Sequence, residues 1–309
     1  MHGLENKIES GKKLTSSPCN LCPRMCGTDR TAQTGFCQSS SRLKVARAAL
    51  HFWEEPCISG SRGSGTIFFS GCTLRCCYCQ NYRISSENFG QETSIPRLAE
   101  ICLELQARGA HNINLVTATQ YLDSVLPALD LMKGKLQIPV VYNCSGYERV
   151  EVIRELQGYV DIFLPDFKYY SNELARKYSR TRDYFEVAVA AIKAMIDQTG
   201  TLVFNEAGIM QKGVIIRHLV LPGARKDSLA LLNWISDNLP QDKFILSLMS
   251  QYTPVYKSRE HQEINRRVTS FEYDSVVKEA IRLGLTNGFI QERSSATEEY
   301  TPPFDLEGV

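Results

Sequence analysis

Three cysteines within eight residues, Cys72, Cys76 and Cys79, are spaced C-x3-C-x2-C. Thiolates are soft ligands that suit iron–sulfur clusters and zinc, and so short a stretch can wrap one small metal centre. Three thiolates leave one iron of a cubane without a protein ligand, and an open position on a metal is where substrate binds. The rival reading of the bare spacing is a zinc knuckle, although zinc motifs usually supply four ligands in two pairs. Cys77 falls outside the spacing and reads as a bystander. A second group, Cys19, Cys22, Cys26 and Cys37, gives C-x2-C-x3-C-x10-C. Four thiolates can close a tetrahedral zinc site or hold a second iron–sulfur cluster. Their segment is too poor in apolar residues to fold unaided, so a metal would supply its ordering energy. The alternative is four unconnected reduced thiols.

These two groups take seven of the eleven cysteines; the others are Cys57, Cys77, Cys102 and Cys144. In a reducing compartment such a count means ligands, catalytic thiols or buried spectators rather than disulfides. The N-terminus, MHGLENKIESGKKL, is polar and has no apolar core of a signal peptide. No apolar run reaches the roughly 18–20 residues of a membrane span, and a cytoplasmic location is expected. With 35 basic and 34 acidic residues and a net charge of +1, the chain lacks the basic excess of a nucleic-acid binder.

The 309 residues suffice for one large α/β domain. Three parts are expected: a flexible start over 1–18, a Cys-rich metal-binding extension over 19–65 with a short strand near 43–46, and a strand–helix domain over 66–309. In the last part, β-rich runs at 66–70, 112–117, 140–143, 160–164, 214–221, 244–249 and 288–291 alternate with helical patterns. The helical faces include Leu98, Ile101 and Leu105; Leu122, Val125 and Leu129; Tyr184, Ala188, Ala191 and Met195; and Tyr273, Val276 and Ala280. Near-continuous apolar strands between helices predict a parallel sheet, here a partial TIM barrel of (β/α)6 type, with chemistry at the carboxyl ends of the strands. A hairpin is expected where 201–205 and 213–216 flank 206–212.

The cysteine motif stands directly after the first of these strands, with an aromatic residue before its third cysteine. In this setting it resembles the radical S-adenosylmethionine superfamily, and the string GTIFFSGCTLRCCYCQN is similar to pyruvate formate-lyase activating enzymes and their uncharacterised relatives. The resemblance implies a 4Fe–4S cluster on Cys72, Cys76 and Cys79 whose open iron chelates S-adenosylmethionine. It also implies reductive cleavage to a 5′-deoxyadenosyl radical, an electron donor such as a flavodoxin or ferredoxin, and a glycine of a partner protein as substrate. The leader CNLCPRMCG…GFC resembles that of the uncharacterised activating-enzyme-like subfamily, whereas ordinary activases lack it.

The resemblance also singles out polar residues at strand ends. Thr117 and Thr119 stand where the superfamily often has a Gly-Gly-Glu string at the methionine amine; the other reading is capping of a helix over 122–131. Asn143 and Ser145 resemble the activases' string near the ribose, or form a turn. Asp166 and Lys168 resemble the activases' residues facing the ends of S-adenosylmethionine; two residues apart, they share one face of an extended segment, and the other reading is a surface ion pair. Arg217 and His218 are neighbours in one strand, so at most one points inward. Ser250, Gln251, Tyr252, Gln291 and Glu292 follow later strands. The tail Thr301-Pro302-Pro303-Phe304 cannot start as helix and is expected to run extended along the barrel, narrowing its opening or capping its base. Three functions follow: a radical enzyme acting on a partner protein, the same oxidoreductase chemistry on a small molecule or another macromolecule, and, in a different class, a zinc-binding interaction protein.

Overall fold

The computed structural model describes residues 17–291 and 301–309. The flexible start expected over 1–18 thus lies almost wholly outside the described residues. The apolar-rich runs at 64–69, 113–116, 140–144, 162–165 and 245–249 become strands buried on both faces. β1 is Lys44–His51, β2 Ser64–Phe69, β3 Gln91–Glu92, β4 Ile113–Val116, β5 Val140–Cys144, β6 Ile162–Pro165, β7 Val203–Phe204, β8 Met210–Leu219, β9 Ile245–Met249 and β10 Gly288–Ile290. The sheet order is β10-β9-β8-β6-β5-β4-β2-β1-β3, with β7 paired to β8. Neighbours from β2 to β10 run parallel, whereas β1 is antiparallel to both β2 and β3. The described residues thus hold seven parallel strands, one more than a (β/α)6 count, in a sheet that curls without closing. Antiparallel β1 and three-residue β10 stand towards the two ends, so no ladder joins them.

Helices cover the outside: α3 (Ile95–Ala107), α4 (Leu122–Leu131), α5 (Val150–Glu155), α6 (Asn172–Ser179), α7 (Tyr184–Thr199), α8 (Arg225–Asn238) and α9 (Ser270–Arg282) among them. Their apolar stripes meet the outward faces of the strands in one continuous core that includes Leu98, Val125, Phe163, Ile192, Leu231 and Val276.

Two expectations are corrected. The short strand near 43–46 is an eight-residue strand, β1; its alanines at 46, 48 and 49 carry weak β preference, and pairing with β2 imposes the extended form. The hairpin turn is tighter than 206–212. Val203 pairs with Lys212 and Phe204 with Met210, so the returning strand is the start of β8 itself.

The tail lies along β1. Leu306 N–H donates to Ala46 O at 3.1 Å and Ala48 N–H to Glu307 O at 2.8 Å. Arg47 pairs with Asp305 at 2.6 Å and also with Glu307. Phe304 is buried edge-on against Phe68, ring centroids 5.6 Å apart, in a cluster with Ile84 and Val116. Truncating a buried aromatic costs about 3 kcal/mol, so Phe304→Ala should lower unfolding stability by about that much in urea titration. A loss below about 0.5 kcal/mol would show that the tail is not anchored there.

A second buried group follows β5. The carboxylate of Glu148 accepts hydrogen bonds from Thr119 Oγ1 (2.9 Å) and Tyr142 OH (3.4 Å). Burial pushes its pKa from 4.5 to about 8 despite these bonds. The folded chain therefore holds a proton that the unfolded chain releases, and stability falls as pH rises between these two values. Glu148→Gln fixes the neutral form. Its stability advantage over the wild-type chain should grow from about pH 5 to about pH 8, on the order of a few kcal/mol, in pH-resolved denaturation. A difference that does not vary with pH would contradict this.

Candidate active site

The chain leaves β2 through Ser70 and turns at Gly71, φ +83°. There a Cβ would stand 2.1 Å from Ser39 Oγ and 2.6 Å from Cys37 O, so only glycine fits. The loop that follows carries Cys72, Cys76 and Cys79 and is held from several sides. Gln120 Nε2 donates to Ser70 O (3.0 Å) and Gly71 O (3.2 Å). Cys72 N–H donates to Cys37 O at 3.2 Å, and Arg24 Nε to Thr73 O at 2.5 Å. The Cys-rich leader thus packs on the loop directly.

Each of the three sulfurs accepts one hydrogen bond. Leu74 N–H donates to Cys72 Sγ at 3.4 Å, Ser179 Oγ to Cys76 Sγ at 2.9 Å and Ser85 Oγ to Cys79 Sγ at 3.3 Å. Burial, with the mutual repulsion of the sulfurs second, pushes Cys72 up to about 11 and Cys79 up to about 12, while Lys168 opposes the shift. As free thiols they are protonated at neutral pH, and ligation must displace those protons. Burial and then the Cys76 sulfur push Cys77 upward too, to about 12, and its N–H donates to Tyr178 O at 2.8 Å. Among the described residues no three or more His, Cys, Asp or Glu side chains close on a point that holds a single metal ion. Soft donors on one loop, a donor to each sulfur and a nearby ammonium fit a sulfur-ligated cluster.

Next to this loop lies a buried charge network. Asp166, at the end of β6, pairs with Lys168 Nζ at 2.5 Å and Arg217 Nε at 2.9 Å. Arg217 also reaches Asn143 Oδ1 on β5 at 2.6 Å and Glu54 Oε2 at 3.3 Å. Glu54 Oε1 in turn accepts from Asn114 (3.2 Å) and Asn143 (3.3 Å). Burial pushes Asp166 upward, but Arg217 and Lys168 outweigh it and hold the carboxyl below the usual range. For Glu54 and Glu55 burial wins over Arg217, and both are raised.

Asp166, Lys168 and Asn143 therefore meet in one place. Thr117 reaches Asn143 through its backbone, whereas Thr119 is bonded elsewhere. Thr117 sits at φ +60° with its N–H on Asn143 O (2.9 Å), and the hydroxyl of Thr119 is committed to Glu148 and Tyr142. Neither caps α4, which starts after Tyr121 with no side-chain cap. The hydroxyl of Ser145 accepts from Tyr147 N–H at 3.4 Å, as in a turn. Strand alternation separates Arg217, facing inward, from His218, which bonds Phe167 O (2.8 Å) and Ser228 on α8 (2.9 Å) in the helix layer. Gln251 and Gln291 bond each other at 3.0 Å beside the opening, Tyr252 turns away to Ile264 O (2.7 Å), and Glu292 lies outside the described residues.

Sequence reading missed Glu54, Glu55 and Gln120. Glu54 and Glu55 precede the short helix α1 (Pro56–Ser59), in a loop that fills the curl of the sheet. They border a cavity of about 660 Å³ together with Trp53, Asn143, Arg217 and Gln251. Phe52 and Trp53 are half exposed at its rim, and Thr301 and Pro302 of the tail complete it. An acidic pair between an exposed tryptophan and a proline was the available signal.

The family model of the radical SAM superfamily matches residues 66–229, more than half of the 309. An uncharacterized protein of Methanocaldococcus jannaschii is 32% identical over 294 residues, covering 91% of this chain and 79% of that protein. Among solved structures, methylornithine synthase (PylB) aligns with a TM-score of 0.49 at 15% identity, over 71% of this chain and 60% of that one. SuiB of Streptococcus suis aligns at 0.47 and 13%, over 74% of this chain and 48% of that one. The chain spans only about half to three fifths of those two chains, and so distant a likeness says nothing of substrate. The matched segment contains Cys72, Cys76 and Cys79 together with Asp166, Lys168 and Arg217, and membership implies a 4Fe–4S cluster and binding of S-adenosylmethionine. The chain belongs to the radical SAM superfamily.

Proposed function

We propose that Cys72, Cys76 and Cys79 hold the cluster, that Asp166 and Lys168 orient S-adenosylmethionine beside it, and that the cavity behind Arg217 receives the substrate. The observation that carries this reading is the meeting of Asp166, Lys168, Arg217 and Asn143 beside the cysteine loop. Held by these cysteines, a reduced cluster would supply one electron for cleavage of a C–S bond of S-adenosylmethionine, giving methionine and a 5′-deoxyadenosyl radical. The protein's part is placement. Asp166, held ionised, accepts hydrogen bonds from the cofactor's ammonium group, and Lys168 or Arg217 faces its carboxylate.

The open side of the sheet gives a substrate its route to the radical. One oxygen of Glu55, Oε2, is buried at the cavity without a hydrogen-bond donor among the described residues, which offers an acceptor to a substrate N–H. The substrate in this reading is a partner protein that presents a backbone loop, and the abstracted atom is a glycine Cα hydrogen, as in the activating enzymes that the cysteine motif resembles. An electron donor of the flavodoxin or ferredoxin kind completes the system. Supplying candidate partners with deuterated glycine tests this: deuterium should appear in 5′-deoxyadenosine. Label transferred only from small molecules would move the chemistry to that class of substrate.

Asp166→Asn keeps the shape and removes the charge. A charge-assisted hydrogen bond contributes about 1.5–3 kcal/mol, so affinity for S-adenosylmethionine, measured by equilibrium binding to the reconstituted protein, should fall about tenfold or more. Iron content should not change. Unchanged affinity would make Asp166 a purely structural partner of Arg217.

A further inference from the structure

The second cysteine group has no part in this chemistry, yet the fold brings it together. Cys19, Cys22, Cys26 and Cys37 line one small cavity, with Arg24 and Arg30 in its wall. Between Ser17 and Leu43 the chain forms neither helix nor extended strand, but Cys19, Cys22 and Cys37 are all buried. At Gly35 an added Cβ would stand 3.6 Å from both Cys26 Sγ and Cys37 Sγ, so a glycine leaves room between two of the sulfurs. Cys26 is within hydrogen-bond reach of Cys19, and Cys22 feels both Cys37 and Cys19.

Arg30 gives the second, independent observation. It is fully buried. Its guanidinium donates to Ser39 O (3.2 Å), Ser40 O and Gln120 O (2.5 Å), and Nη1 stands 4.0 Å from Cys19 Sγ. Among the described residues no carboxylate forms an ion pair with it. A buried cation without an anion is costly, and the Cys19 sulfur, 4.0 Å from Nη1, is a group able to carry negative charge. Arg24, stacked 3.5 Å over Phe36, lies in the fields of Cys22 and Cys72.

We propose that Cys19, Cys22, Cys26 and Cys37 bind a second metal centre as four thiolates, with Arg24 and Arg30 as its counter-charges. Four thiolates on a zinc ion, or on an oxidised 4Fe–4S core, carry two negative charges in excess, and two guanidiniums match them. Binding releases the four thiol protons to solvent. The sulfurs do not converge as ion ligands do in this structure, so the proposal requires a change of side-chain rotamer on binding. The centre orders a segment that lacks regular structure and fixes Cys37, whose carbonyl holds the amide of Cys72. The leader is thereby a metal-set clamp on the radical-generating loop.

The test is a metal inventory on the chain carrying Cys72→Ala, Cys76→Ala and Cys79→Ala, purified anaerobically and offered either zinc alone or iron with sulfide. About one zinc per chain, or about four irons with matching sulfide, should remain, and the remaining metal identifies the centre. Neither metal above the level of a variant that also lacks the four leader cysteines would overturn the proposal. If the triple variant does not fold, the reconstituted wild-type chain decides. Iron for one cluster and no zinc would overturn it, whereas zinc or further iron that is lost in Cys19→Ser/Cys22→Ser supports it.

Discussion

The guanidinium of Arg217 ties the ends of three neighbouring strands to a loop that none of them pairs with. It projects inward from β8 to Asp166 on β6, Asn143 on β5 and Glu54 on the loop that fills the curl of the sheet. An arginine is the side chain able to do this, because its planar fork keeps its charge at any pH and donates in several directions at once. Removing it would leave Asp166 sharing its charge with Lys168 alone and Glu54 buried without its cation, a loss of the kind that costs roughly 3–5 kcal/mol. Charge buried beside an open strand end is more expensive than an apolar filling would be, so the network is better understood as a device for placing a ligand than as a source of stability.

The cysteine loop depends on a different set of contacts, mostly to backbone. Gln120 grips the carbonyls of Ser70 and Gly71, Cys37 receives the amide of Cys72, and Arg24 bonds Thr73, Ser179 and Arg180. Ser179 passes this support on to Cys76 through its hydroxyl. Three segments distant in sequence, the leader, the turn after β4 and the end of α6, thus fix where three sulfurs stand. Hydrogen bonds to cluster sulfurs and the burial around them are the means by which a protein sets a cluster's potential.

What could be read from the sequence follows the range of the interactions. Apolar runs such as IFLP at β6 and ILSLM at β9 declare themselves locally, as do the helical faces of α3 and α7, because burial on a fixed period leaves a pattern in adjacent residues. The C-x3-C-x2-C spacing of Cys72, Cys76 and Cys79 is equally local. That Asp166 and Lys168 stand together was legible because they share one strand end, and the choice between Arg217 and His218 needed only the knowledge of which face looks inward. Glu54 and Glu55 were not legible, since nothing in WEEP states that the loop enters the curl of a sheet built later in the chain. Gln120 was passed over in favour of Thr119 for the same reason: its partners, Ser70 and Gly71, are fifty residues away. The alanine-rich strand β1 was underestimated because its extended form comes from pairing with β2 and from the tail laid along it, not from its own residues.

The central question is whether the loop after β2 directs an electron into S-adenosylmethionine. The direct measurement is the yield of 5′-deoxyadenosine from anaerobically reconstituted, reduced protein, compared with Cys76→Ala. The wild-type chain should release 5′-deoxyadenosine and methionine in equal amounts, and the variant should release neither while still unfolding cooperatively. No 5′-deoxyadenosine from a reduced, iron-loaded wild-type chain, or an undiminished yield from Cys76→Ala, would contradict it.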